Sequence, residues 1–318
     1  MCTLDCNSSY HVQLVNPVQV RMNLSMSITQ IFVWPFIYIN VIMLFTFYKK
    51  QAFRTETRYI LFAHTLILDL VFLMLTDFVV LLSYNYVLMP VALCIPLCML
   101  METITTCTPL TITAMCVERY VAICMPLRHN AISTVSRTFT AILIIWIISS
   151  IKPFVDLFIL VATTSQDYLL ELTFCHYEIM MLENWHRFMR GILYIITFIV
   201  IFLIELFCYV MIVLAARAAS TDKKSAVKGL RTISLHMLQL FLCTIEIICP
   251  YIEAVVINID IQVYLSVRFF NFITFNVITR AVSPLVYGLR DEKFYSTMKY
   301  YIRCKQKHAS SEGRGPNT

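Results

Sequence analysis

Charge is scarce in this chain: only 14% of its 318 residues are Asp, Glu, Lys or Arg, against about 25% in an average soluble domain. Glycine is scarce too, with 5 residues in all, while 59% of the chain is hydrophobic and Phe, Tyr and Met are plentiful. So little charge excludes an ordinary water-soluble domain and marks a membrane protein. Catalytic signatures are missing as well: no zinc-ligand spacing, nucleophile elbow or phosphate-binding loop is found, which argues against an enzyme and against a cofactor. The beginning, MCTLDCNSSYHVQLVN, has neither the basic start nor the apolar core of a cleavable signal peptide. The N-terminus is therefore expected to stay on the mature chain. No repeat of fixed period is visible, and the polar tail HASSEGRGPNT after Cys304 reads as disordered.

What is present is a series of long apolar runs. Met22 to Tyr48 is free of charge for 27 residues, where about 20 suffice to cross the hydrocarbon core. Between Arg58 and Arg119 lie 60 residues without Lys or Arg. As one helix these would far exceed one bilayer, so they must hold two. The break falls best at SYNYVLMP, Ser83 to Pro90, where polar residues and a proline interrupt the pattern. Further runs lie at Thr138 to Thr163, Gly191 to Ala216, Gly229 to Ile257 and Gln262 to Tyr287. The expected fold is an all-α membrane protein, a seven-transmembrane helix bundle.

Basic residues orient the bundle, because Lys and Arg accumulate in cytoplasmic loops. Lys49, Lys50, Arg54 and Arg58 follow helix 1, and Arg119, Arg128 and Arg137 flank the loop after helix 3. Arg217, Lys223, Lys224, Lys228 and Arg231 precede helix 6, and seven more run from Arg290 to Arg314. These are 19 of the 25 basic residues and place the N-terminus outside. The net charge of +6 thus reflects membrane orientation and not nucleic-acid binding. Expected divisions are an extracellular segment 1–26, a transmembrane domain 27–290, and a cytoplasmic amphipathic helix with tail over 291–318. Lys223 and Lys224 also suit anionic lipid. Asn7-Ser8-Ser9 and Asn23-Leu24-Ser25 are glycosylation sequons in the correct compartment, with Asn7 farther from the membrane. Most of the twelve cysteines fall inside expected helices, as packed thiols.

One stretch departs from the apolar pattern. MCVERYVAICMPLRH, Met115 to His129, sets a Glu-Arg pair between two Cys-containing apolar runs. Arg119 is 25 residues beyond Cys94, about 37 Å of helix, so Glu118-Arg119-Tyr120 sits at the cytoplasmic mouth of helix 3. The stretch resembles the MAYDRYVAICxPLRY signature of odorant receptors, within the rhodopsin-like (class A) G-protein-coupled receptors. KGLRTISLHM, Lys228 to Met237, is similar to that family's KAFSTCxSHL, and SPLVYGLRDEKF, Ser283 to Phe294, to its NPxxYxLR. Asn40, Asp69, Trp146 and Tyr209 fall where class A receptors carry those residues. The resemblance spans Asn40 to Phe294, and Glu in place of Asp in the triplet resembles fish-type odorant receptors.

That resemblance implies a plasma-membrane, multi-pass receptor for a small-molecule odorant, acting on a heterotrimeric G protein. It implies a disulfide between Cys94 and Cys175, which share the oxidising outer space. Arg119, balanced at rest by Glu118, is implied to contact the G protein once helix 6 moves outward. Tyr209 and Tyr287, near Pro284, turn inward beneath it, and Leu127 docks into the G protein. On the triplet alone, a positive-inside anchor explains the Glu-Arg pair equally well; the flanking motif favours the switch. For the loop at Leu127, a capping turn is compatible with docking.

The departures from the family pattern are informative. The family commonly binds sodium through the helix 2 Asp and usually carries a Glu where this chain has Thr108; Ser283 replaces the motif Asn. Helix 7 instead carries Arg280, plausibly level with Asp69. A buried arginine is costly in a membrane and should face a carboxylate: Asp69, or alternatively Glu246 or water. Asn40, Asp69 and Arg280 make the expected buried polar core. The ligand is expected among the outer halves of helices 3, 5, 6 and 7. Candidates are Met101, Glu102, Thr105, Thr106, Tyr194, Thr197, Tyr251, Glu253, Phe272 and Asn276. Each taken singly also reads as packing, while Glu102 and Glu253 weigh more as intramembrane carboxylates. An opsin would need a lysine near Val277, and an aminergic receptor an Asp at Met101. An ion channel or transporter using Asp69, Asp77, Glu205, Glu246 and Arg280 is the alternative of a different class.

Overall fold

The computed structural model describes residues 17–218, 259–280, 291 and 293–302, with isolated positions between 234 and 256; side chains at 17–20, 184, 216–218 and 261 are excepted. In hydrocarbon each backbone N–H and C=O must be satisfied within its own segment, so the apolar runs become helices. Five described helices are long and apolar enough to cross a membrane. They are α1 (Pro17–Lys49), α3 (Thr57–Tyr84), α4 (Val91–Cys124), α6 (Val135–Thr163) and α8 (Asn184–Ala218). These five correspond to the first five expected spans. α9 (Ile261–Asn271) starts the seventh and runs into a π-helical stretch, Phe272–Ile278. Most of the sixth expected span, and 281–290 at the end of the seventh, lie outside the described residues.

Connections are short. α2 (Gln51–Arg54) and α5 (Pro126–Ile132) sit at the end where basic residues collect, and α7 (Gln166–Leu170) at the other. The expected break holds: α3 ends at Tyr84, Tyr86 takes a positive φ of 54°, and α4 begins at Val91. The loop there contains a two-residue strand β1 (Met89–Pro90), antiparallel to β2 (Leu172–Thr173) with Met89 opposite Thr173. Residues 293–302 are helical, with the Asp291 carboxylate accepting from the Phe294 N–H at 3.0 Å.

α8 starts seven residues before the expected Gly191. Its first turns carry His186 and Arg190, which are buried by polar contacts and not by apolar ones, so a hydropathy boundary falls too late. Outward faces of α6 and α8 expose Phe139, Leu143, Ile147, Phe158, Ile195 and Phe202. Such an apolar belt would aggregate in water and is at home against lipid. Inward, Phe53, Tyr59 and Phe62 stack around Phe294, joining the ends of α2 and α3 to the helix at 293–302.

At the outer end Cys94 and Cys175 form a disulfide that ties the top of α4 to the loop after α7. The free thiol of Cys98, one turn below Cys94, lies 3.9 Å from the Cys175 sulfur. In a Cys98→Ser background, which removes this stand-in, Cys94→Ser and Cys175→Ser should each lower the folded receptor reaching the cell surface. Because both break one bond, typically worth about 2–4 kcal/mol, surface labelling should find the combined variant no worse than the weaker single one; additive losses would mean separate partners.

Candidate ligand cavity and cytoplasmic switch

Between the outer halves of α1, α3, α4 and α9 lies a cavity of about 1000 Å³. Helix periodicity builds its walls. Phe72, Thr76, Val79 and Ser83 of α3 recur every three or four residues and so share one face, as do Leu265, Phe269, Phe272 and Asn276 from α9 onward. Met101, Phe272 and Asn276 of the sequence candidates line it. The other described candidates do not, and the described lining draws on α1 and α3 and not on helix 5. Thr105 and Thr197 spend their hydroxyls on carbonyls four residues earlier, Met101 and Leu193. Thr106 is buried in α4. Glu253 accepts from the Asn271 amide at 2.9 Å, and Tyr251 lies outside the described residues.

Glu102 and Tyr194 belong to a second site, a buried ionic cluster joining α4, α6 and α8. Arg190 is 2.8 Å from Glu102 and 2.9 Å from Asp156, and it donates to the Tyr194 hydroxyl at 2.9 Å. Asp156 also lies 2.7 Å from His186 and accepts from the Tyr177 hydroxyl. Burial, with the Glu102 and Asp156 carboxylates nearby and Arg190 opposing, pushes the Tyr177 phenol far above its ordinary value. Tyr177 therefore remains a proton donor that pins the outer loop onto the bundle. The Lys152 ammonium stands 3.7 Å from the centre of the Tyr194 ring, a cation–π geometry. Sequence reasoning singled out only Glu102 and Tyr194 of this group. The missed signal was Lys152 and Asp156, one turn apart in an otherwise apolar span, with Arg190 near the start of the next.

At mid-bundle, Arg280 is 1% and Asp69 0% exposed. The Arg280 guanidinium approaches Asp69 Oδ1 to 3.5 Å, donates to the Thr108 hydroxyl, and lies 4.3 Å from the Phe72 ring centre. Thr108, the residue that replaces the family's glutamate, is thus a partner of the arginine. Asn40, fully buried, donates to the Phe36 carbonyl at 2.9 Å. Other intramembrane acids are engaged separately: Asp77 accepts from Gln30 of α1, and Glu205 from Thr113 of α4. Glu246 lies outside the described residues.

At the end of the bundle where basic residues collect, Glu118 is 3.9 Å from Arg119 and also 3.3 Å from His129. One carboxylate therefore links the end of α4 to α5. Tyr120 packs edge-on to Phe207, ring centres 5.5 Å apart. Leu127 is 100% exposed on α5. Tyr209 is half-buried in α8; Ser283, Pro284 and Tyr287 lie outside the described residues. At the outer end, Asn23 falls within α1 and accepts from the Tyr84 hydroxyl at 2.8 Å, while Asn7 lies outside the described residues.

With this geometry in view, comparison with known proteins is specific. Residues 39–287 match the family described as 7 transmembrane receptor (rhodopsin family). Odorant receptor 131-2 of Danio rerio is 39% identical over 86% of this chain and 85% of its own length. Shorter similarities reach the Pyrokinin-1 receptor of Drosophila melanogaster, 36% identical over 32% of this chain and 24% of that one. The Growth hormone secretagogue receptor type 1 of Rattus norvegicus is 50% identical over 15% of this chain and 13% of that one.

The central ion pair makes a measurable prediction. Removing one charge of a buried pair typically costs about 3 to 5 kcal/mol, whereas an apolar replacement of both is far milder. Asp69→Asn or Arg280→Met alone should therefore sharply reduce folded surface receptor, and the two together should recover part of it. Flow cytometry of tagged receptor measures this, and a double variant with the summed loss would show that the two charges do not couple.

Proposed function

Since the chain belongs to the rhodopsin family of seven-transmembrane receptors, as a relative of odorant receptors, we propose that it binds a small-molecule odorant in the outer half of its bundle and promotes nucleotide exchange on a heterotrimeric G protein at its inner face. The observation that carries this reading is the cytoplasmic geometry. Glu118 holds Arg119 and His129 together at the end of α4, and Leu127 projects fully exposed beside them. A leucine with no protein contact is poorly placed in water and well placed to enter an apolar recess of a partner. The receptor works at the plasma membrane, with basic loops facing the cytoplasm and Asn7 outside as the better glycosylation acceptor. Helix 6 movement frees Arg119 from Glu118, and the arginine then meets the G protein.

The channel alternative needs intramembrane charges arrayed along one path. Asp69, Asp77 and Glu205 instead meet partners on different helices, which favours the receptor reading. The test is a cyclic-AMP screen in cells against amino acids, bile acids, amines and apolar odorants. Arg119→Ala should abolish any response while leaving surface expression intact. Leu127→Asp should cut potency about tenfold or more, the loss of roughly 1.4 kcal/mol or more at the G-protein contact. A normal response by Arg119→Ala would sink the switch assignment. Surface receptor that passes ion current and never signals would favour the channel.

A further inference from the structure

Among the described residues the cavity carries charge of one sign. Its mouth holds Arg21 of α1 and Arg268 of α9, with His176 of the outer loop beside them, and no described Asp or Glu lines it. Arg21 is fixed in place: its guanidinium donates to the Gln262 side chain at 2.6 Å, the Gln262 carbonyl at 3.1 Å and Ser266 at 2.8 Å. Arg268 donates to the Tyr264 hydroxyl. Among the described residues, neither arginine forms an ion pair with a carboxylate. Glu178 and Glu253 are within electrostatic reach of Arg268 but do not line the cavity, and Glu253 is bound by Asn271. Below this rim the lining is largely apolar and descends α3 from Ser83 to Phe72, roughly 16 Å of helix.

We infer that this cavity binds an amphipathic organic anion, its carboxylate, sulfonate or sulfate held between Arg21 and Arg268 and its apolar body lying along α3 and α9 toward Phe72. Two guanidiniums with no ion-paired carboxylate among the described residues repel a cation and leave a neutral head without compensation for displaced water. An anion satisfies both, and arginine forks fit carboxylate and sulfonate geometry. The volume suits a body of drug-like size. At the floor Phe72 is also the ring beneath the Arg280 guanidinium, so an occupant reaching it touches the side chain that covers the central ion pair. That this anion is the activating ligand rests on the receptor reading; that it binds here does not.

The test uses full-length receptor in phosphatidylcholine nanodiscs, with empty discs as the blank. The probes are 8-anilinonaphthalene-1-sulfonate and N-phenyl-1-naphthylamine, which share an apolar body and differ in the anionic head. The sulfonate should bind saturably, and Arg21→Gln with Arg268→Gln should weaken it at least about tenfold, about 1.4 kcal/mol. The neutral amine should bind wild type and variant alike, which also reports that the variant is folded. Should that variant not fold, wild type decides: decanoate should displace the sulfonate, while decanol and decylamine should not. Displacement by phosphatidylglycerol in the disc would identify the anion as a lipid entering from the bilayer, and resistance to it a soluble one from outside. Sulfonate binding untouched by loss of both arginines, or decylamine competing as well as decanoate, would overturn the assignment. Because no step needs a G protein, that failure would leave the receptor reading standing, and loss of nucleotide exchange would leave the anion site standing.

Discussion

A guanidinium enclosed by apolar helices is tolerated only where the surrounding groups replace its water, and Arg280 is such a group. Its position in the seventh span obliges α3 to present Asp69 and α4 to present Thr108 at the same depth. Three helices are thereby fixed in rotation and in height by one side chain. Apolar packing alone distinguishes poorly between neighbouring registers in lipid, where tails are as apolar as leucine. A charge pair distinguishes sharply, because a slip of one turn strands both charges. Phe72 covers the guanidinium face and completes the enclosure. The arginine supplies the positive charge opposite the helix 2 carboxylate from the protein itself.

The same constraint recurs at both ends of the bundle. Outside, Arg190 draws Glu102 and Asp156 together, and Asp156 recruits His186 and Tyr177. A cluster of this kind holds the loop over the bundle together with the disulfide, one by charge and one by covalent bond. Inside, Glu118 divides its carboxylate between Arg119 and His129. Between the ends, polar side chains are absorbed locally. Thr65, Thr103, Thr108, Thr111 and Thr113 each donate to the carbonyl four residues before, at 2.8 to 3.1 Å. Such back-bonding gives these hydroxyls an acceptor within their own helix, so α4 can carry many threonines in the membrane.

How far the sequence could be read follows from where the physics is local. Span number and the break at Ser83–Pro90 were legible because helix formation in lipid depends on run length and hydropathy alone. The Arg280–Asp69 contact was legible for another reason: a charge in a span needs a partner, and only a few candidates exist at that depth. The cavity was not. Glu102 and Tyr194 carry the residue types of a ligand site yet turn to Arg190, since which face of a helix meets which neighbour depends on rotations that no single segment encodes. The early start of α8 escaped because His186 and Arg190 are polar by composition and buried through Asp156 and, for Arg190, also Glu102, residues on other helices. Sequence reasoning did not single out Arg21 or Arg268, which come to one cavity only because α1 and α9 stand side by side.

The position of the cavity bears on how a signal could cross the bundle. Its described lining comes from α1, α3, α4, the loop at 175–177 and α9 onward, so an occupant bears directly on these elements. Its floor is Phe72, and Phe72 is packed against Arg280. A ligand that shifts this ring changes the shielding of a buried charge, and electrostatic energy in a low-dielectric interior is steep in distance. A displacement at the floor would therefore change the energy of the pair that joins helix 7 to α3. Arg280 lies immediately before residues 281–290, which carry the Ser283–Tyr287 motif, and α3 begins at the inner face, where Tyr59 hydroxyl and Arg58 both meet Asp291. Asp291, just beyond that stretch, thus stands beside the start of α3 at the end of the bundle where basic residues collect. Coupling between the outer cavity and the Glu118–Arg119 mouth requires no more than two arrangements of this one pair, each compatible with a packed bundle.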